Sequence, residues 1–299
     1  MTLIDIQLEA DCLGIGKLAE TITTFLKEKT EPKQILERAK ARKEAMNLLS
    51  EGISNNPQVQ IEYNDGTLSI KERAQITQEN RAIVKQQNIE AVSGYAYEEL
   101  LGDAPISPEP VDEDWITRFF NKASDISTDE MQVIWGKVLA GEIKQPGSYS
   151  LRTLDILSNL SKKEAMLFKR VSNYVFTGNN LGLLFSDTKL LEKHGVKYSD
   201  LLTLDESRLL KAEDKVINFY ASTTNTLHYP PHHIIFHKGD EKEKISYSSF
   251  VLTQSGLEIY GLFTKEPDTQ YLQEVVSTLR KINEEKKYDV DIDIMEDTD

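Results

Sequence analysis

Ile126-Ser127-Thr128-Asp129-Glu130-Met131-Gln132-Val133-Ile134-Trp135-Gly136-Lys137-Val138-Leu139-Ala140-Gly141-Glu142-Ile143 is the stretch on which the reading of this chain turns. Met131, Ile134, Trp135, Val138 and Leu139 recur at i, i+3, i+4, i+7 and i+8, the spacing of one buried face of an α-helix. Ser127 and Glu130 stand three apart, as a capping box requires, with Ile126 and Met131 placed as its hydrophobic staple. Just upstream, Asp112, Glu113 and Asp114 precede Trp115, putting negative charge where a helix N-terminus favours it. Downstream, Ser161 and Glu164 repeat the capping-box spacing ahead of Ala165, Phe168, Val171 and Val175. The pattern predicts a compact helical core over 112–176.

Working towards the N-terminus, Gly102-Asp103-Ala104-Pro105-Ile106-Ser107-Pro108-Glu109-Pro110 cannot continue a helix, because each proline pushes its predecessor towards extended backbone. Residues 102–111 therefore read as a linker. Beyond it, 1–101 reads as a helical N-terminal region, with helices over Lys17–Lys29, Pro32–Ile53 and Ser69–Leu101 and a small hairpin about Asp65-Gly66 within Ile61–Ile70. Lys71–Glu90 is strongly polar with few anchors for burial, so it either bridges solvent or packs through a narrow seam.

Towards the C-terminus, 177–265 changes character. Short helices over Thr188–His194, ending at Gly195, and Ser199–Leu210 precede strand-like runs at Val216–Tyr220, His233–His237 and Ile245–Leu252. With the last two runs joined by Lys238–Lys244 as a β-hairpin, the order is that of a winged helix-turn-helix. Residues 266–299 read as a helix over Pro267–Lys287, striped by Tyr271, Leu272, Val275, Val276, Leu279 and Ile282, and an acidic tail from Asp289 that frays. The expected fold class is α+β, mostly helical: N-terminal helices, a central helical core, a winged-helix-like segment with a β-hairpin, and a C-terminal helix.

Bulk properties narrow the function. The 299 residues carry a formal charge of −14, which opposes nucleic-acid phosphates unless a local basic patch intervenes. Cys12 is the only cysteine, so no internal disulfide and no thiol zinc cluster can form. Met1–Ala10 lacks the basic and apolar regions of a secretory signal, and no stretch approaches the ~20 apolar residues of a spanning helix. A soluble, cytoplasmic protein is expected.

Pro110–Trp115, Asp129–Gln132, Trp135–Ile143 and Pro146–Leu154 together resemble the bacterial domain-of-unknown-function 2806 family, and Leu160–Ala165 and Leu252–Gly256 also match its pattern. The resemblance implies a bacterial, cytoplasmic, helical protein and supplies no catalytic residues. The helical core is also distantly similar to abortive-infection alpha-type proteins, which extends the expectation to phage defence.

Candidate site residues are few. Gly147, Ser148, Ser150 and Arg152 place small, hydroxyl and guanidinium groups at a helix N-terminus, where free N–H groups can hold a phosphate, a carboxylate or a partner. The competing reading makes Ser148 or Ser150 a simple N-cap, with Arg152 paired to an acid such as Glu142. Four of the five histidines, His228, His232, His233 and His237, cluster, yet His233 and His237 would sit about 13 Å apart along a strand, too far to share one metal ion. A pH-sensitive surface strand is the stronger reading. Gly14-Ile15-Gly16 is too short for a dinucleotide fingerprint, and the basic run Lys27–Lys43 is interleaved with acids. The would-be recognition helix Ser199–Leu210 carries Asp200, Asp205 and Glu206 against Arg208, which suits protein contacts better than base edges.

No catalytic residue, metal ligand or cofactor is indicated. The leading expectation is a non-catalytic interaction or adaptor protein, acting through self-association or a protein partner. The alternatives are a winged-helix nucleic-acid-binding regulator and an enzyme or toxin-like effector of unrecognised type.

Overall fold

The computed structural model describes residues 3–26, 69–101, 105–220, 226–237, 244–288 and 290–296. The predicted helix over 32–53, the hairpin strands and turn at 61–68, the basic run from Lys27 to Lys43 and the turn at 238–243 lie outside the described residues. The chain divides into two compact units, Met1–Leu154 and Asp155–Asp299.

Among the described residues the first unit is helical: α1 (Leu3–Leu26), α2 (Ile70–Leu100), α3 (Glu113–Ala123), α4 (Asp129–Lys144) and the start of α5 (Leu151–Asn159), which crosses the division. The helix after Asp112 starts where the charges predict. Asp112 caps α3 by accepting the Trp115 N–H at 2.8 Å, and Ser69 and Glu72 form a reciprocal capping box on α2. The periodic face of α4 is buried as read, with Trp135 fully enclosed and its ring 5.2 Å from Phe119, itself stacked on Trp115 at 4.9 Å. Gly136 lets α2 and α4 close on one another, because a Cβ there would stand 2.4 Å from that of Tyr95. The capping box expected at Ser127–Glu130 does not form: Thr128 is the N-cap, with no side-chain cap bond, so α4 begins one residue later. Asp129 and Glu130 still offset the dipole in its first turn.

The proline run lies inside this unit. Lys17 of α1, buried, donates its ammonium to the Ser107 carbonyl at 2.7 Å and to the Glu109 carbonyl, and burial pushes its pKa down. A buried cation tied to two backbone oxygens fixes the extended segment against α1.

The second unit runs α6 (Lys162–Ser172), β1 (Phe176–Gly178), β2 (Leu181–Phe185), α7 (Thr188–Lys193), α8 (Tyr198–Glu206), β3 (Leu210–Tyr220), β4 (Thr226–Tyr229), β5 (His232–His237), β6 (Lys244–Leu252), α9 (Gln254–Tyr260), α10 (Thr269–Lys286) and β7 (Asp291–Glu296). Its strands form one antiparallel seven-stranded sheet in the order β3-β6-β2-β1-β4-β5-β7. β1 and β2 turn through Asn179 and Asn180 at φ +51° and +60°, the left-handed pair of a two-residue hairpin. Ser161 and Glu164 form the predicted capping box on α6. α10 lays its buried stripe on the sheet, where Tyr247 of β6 donates to Asn283 at 2.6 Å and Phe176 of β1 meets the Tyr271 ring at 6.0 Å.

The fold is α+β, as expected, and two details of the reading change. β5 and β6 do not pair with each other: β6 sits between β3 and β2, and β5 between β4 and β7. Sequence periodicity marks the strand runs but not their partners, because β4 and β5 form their own hairpin inside the β3–β6 connection. The acidic tail does not fray over 291–296, where it forms β7. Ile292 aligns with Phe236 and is buried, and the Arg280 guanidinium donates to its carbonyl at 2.6 and 3.2 Å. No helix among the described residues is long and apolar enough to cross a membrane.

Candidate functional site

The sequence pointed first to the loop after α4. Its centre is Glu142, a carboxylate on the last turn of that helix, only 2% exposed. Oε1 accepts the Gly147 N–H at 2.7 Å and Oε2 the Tyr149 N–H at 3.0 Å. Gly147 turns the chain back with φ +85°, a conformation that costs glycine nothing. The Tyr149 ring then packs so close to Gly141 that a Cβ there would stand 2.8 Å from it, and the Tyr149 carbonyl accepts the Trp115 indole N–H at 2.7 Å.

The predicted residues divide within this loop. Ser150 is the N-cap of α5, its hydroxyl accepting the Thr153 N–H at 3.2 Å. Ser148 donates to the Gln145 carbonyl at 2.6 Å. Arg152 is exposed to solvent. The amides of Gly147 and Tyr149, which an external anion would need, face an internal one. Sequence reasoning cast Glu142 as a partner for Arg152; its backbone partners could be recognised only from the folded turn.

The histidines distribute over the hairpin. His228 on β4 and His233 and His237 on β5 alternate with the buried Leu227, Tyr229, Ile234 and Phe236, so they share the opposite face of the sheet. His228 and His233 are cross-strand partners with rings 6.1 Å apart, and His237 Nε2 meets Asp293 of β7 at 2.5 Å. Among the described residues, no three His, Cys, Asp or Glu side chains gather to hold a metal ion.

The fifth histidine, to which the sequence assigns no role, has a well-enclosed side chain. His194 closes α7, and its side chain is 6% exposed. Nδ1 meets Asp268 at 2.7 Å, and Nε2 lies 3.6 Å from Glu274. Asp268 caps α10 by accepting the Tyr271 N–H at 3.0 Å. Burial pushes the Asp268 carboxyl up, but the Tyr271 amide and His194 outweigh it and hold its pKa below the usual range. Lys193 donates to Glu274 at 2.7 Å and, with Gln270, draws its pKa down to about 2. Around this pair stand Tyr174, Tyr229 and Tyr271; burial pushes each phenol up. The arrangement is a latch from the end of α7 to the start of α10. A separation of 74 residues between His194 and Asp268 left no local signal for it.

Among the described residues, the first half of α2 departs from ordinary burial. From Ser69 to Gln87 almost every residue is exposed or nearly so, and burial begins only at Asn88. That half carries four large apolar side chains in solvent: Ile70 (78% exposed), Ile76 (37%), Ile83 (48%) and Val84 (48%). It also borders an open cleft of about 630 Å³, walled by Arg81, Val84 and Lys85 on one side and Ser124, Asp125 and Ser127 on the other. Lys85 pairs with Asp125 at 2.9 Å across that cleft.

A family profile described as a protein of unknown function, DUF2806, matches residues 72–276, more than half of the chain. No curated protein and no solved structure matches. The matched span contains Gly136, Gly141 and Glu142, whose roles above are helix contact and loop closure.

Proposed function

This chain belongs to the domain-of-unknown-function 2806 family, and on that footing we propose that it is a non-catalytic interaction protein whose contact surface is the exposed half of α2. The carrying observation is the set of Ile70, Ile76, Ile83 and Val84 on a helical stretch that leaves them in solvent. Helices in proteins draw most of their stability from packing of an apolar face, and covering each of these side chains would contribute roughly 1–2 kcal/mol. The occupant is a protein partner or a second copy of the chain. The same proposal places it in a bacterial cytoplasm, with phage defence as the process it serves.

The second unit supports a winged-helix reading of 177–265. α7 and α8 lie between β2 and β3 in the chain, and β6 returns between those two strands. α8, in the recognition position, exposes Tyr198 and Leu202 at 45% each, while Asp200 is taken by Arg170 at 2.8 Å. An apolar pair beside Glu206 suits a protein surface rather than phosphates.

The test replaces Ile76 and Ile83 together by glutamate. Wild type should exceed the 34.0 kDa monomer in light scattering or retain a partner in pull-down. The double variant should lose that association with unchanged circular dichroism and melting temperature. A strictly monomeric wild type without a partner, or full association by the variant, defeats the proposal.

A further inference from the structure

The second unit holds a half-open cleft of about 390 Å³ where α10 crosses β2 and β6. That is the lower part of the ~300–1,000 Å³ range of small-molecule sites. Its floor is apolar and largely water-excluded: Phe185, Tyr247, Val275 and Leu279 are each 6% exposed or less. The Tyr247 ring is held in place by its hydroxyl's bond to Asn283.

The mouth is charged and unbalanced. Its lining residues include Asp187, Asp214 and Glu285 against Lys286, a net charge of −2 (three carboxylates against one ammonium), with Asp187 also capping α7 through the Lys189 and Leu190 N–H groups. Lys286 is partly satisfied, its Nζ lying 3.3 Å from the Ser246 carbonyl. Asp214 reaches the cleft through an irregularity in β3. Lys211 aligns with Val251 and Lys215 with Ser249, so four steps along β3 match two along β6, and residues 212–214 bulge. Bulges re-aim side chains and concentrate next to binding sites.

We propose that this cleft binds a small amphipathic organic cation, an ammonium group carried on an aromatic or branched aliphatic body. The body fills the apolar floor against the Tyr247 and Phe185 rings, and the ammonium sits at the acidic mouth. A negative, low-dielectric opening concentrates cations and turns away anions of the same shape.

The experiment uses the full chain and three probes of closely matched shape: 2-phenylethylammonium, phenylacetate and 2-phenylethanol, in calorimetric and thermal-shift titrations at about 0.15 M salt. The ammonium should bind saturably, and the carboxylate and alcohol at least about tenfold more weakly. Asp214→Asn with Glu285→Gln, both at exposed positions, should weaken the ammonium about tenfold and leave the alcohol unchanged. Thr278→Trp, which fills the cleft without altering charge, should abolish binding. Equal responses to all three probes, or undiminished ammonium binding in either variant, would overturn the proposal. If Thr278→Trp fails to fold, the Asp214/Glu285 pair alone decides.

Discussion

Truncating Glu142 to alanine removes the carboxylate that closes the 146–150 loop, and the cost can be worked from its bonds. Two N–H groups, from Gly147 at 2.7 Å and Tyr149 at 3.0 Å, lose a charged acceptor. Hydrogen bonds to charged groups are each worth about 1.5–3 kcal/mol net. Gly147 is exposed enough to recover water, whereas Tyr149 is half-buried. The low end of the sum applies, about 3 kcal/mol. For a unit of this size that is a fall in melting temperature of about 6–12 °C. The assay is unusually clean, because both tryptophans, Trp115 and Trp135, lie in the first unit, and the Trp115 indole bonds to the same loop. Tryptophan fluorescence then follows the first unit while far-ultraviolet circular dichroism follows the whole chain. The fluorescence midpoint should drop by the stated amount, and Glu142→Gln should fall between. Glu142→Ala should also gain stability from added sulfate or phosphate that wild type does not show, since two amides now await an anion. A midpoint within about 1 kcal/mol of wild type would refute the clamp reasoning.

Three further outcomes follow from single sites. A Cβ on Gly256 would stand 1.9 Å from the Leu209 carbonyl oxygen, so Gly256→Ala should destabilise the second unit by about 3 kcal/mol or more, read by urea unfolding. Gly136→Ala should likewise weaken the α2–α4 contact by about 1–3 kcal/mol, with an early tryptophan transition. Asp268→Asn keeps an N-cap oxygen but loses the charge facing His194. Because the folded Asp268 pKa is depressed, its stabilising effect is complete above the ordinary carboxylate value of ~3.9 and is lost as pH falls through the lower folded value. The melting-temperature gap between wild type and Asp268→Asn should therefore be full at about pH 6 and shrink steadily as pH falls below ~3.9 towards the lower folded value; an unchanged gap at the acidic end contradicts the assignment.

The parts legible from sequence were those with local signals. Met131 to Leu139 announces its buried face by spacing alone, and Ser161 with Glu164 carries its own cap. The polar character of Lys71–Glu90, with few apolar anchors, leaves either solvent exposure or a narrow seam, and the structure has the first up to Gln87. What stayed hidden was non-local. Nothing in Ile245–Leu252 says that its neighbours are β3 and β2 rather than the adjacent β5. The β1–β2 turn uses Asn179-Asn180 instead of the more telling Asn-Gly pair, so two short strands passed unseen. In 291–296 the alternation of Ile292 and Ile294 was masked by Asp291, Asp293 and Glu296. At the loop, a carboxylate five to seven residues upstream accepts the Gly147 and Tyr149 amides, a pairing that no local pattern announces.

The strand β7 is supplied 59 residues after β5 ends (296 less 237). During synthesis at about 5–20 residues per second, the free side of Ile234-Ile235-Phe236 waits roughly 3–12 s for its neighbour. For that interval a ribosome-bound chain carries a bare, apolar β ladder open to any other extended segment. Guarding that window is a demand placed on the cell by the order of the strands rather than by their chemistry.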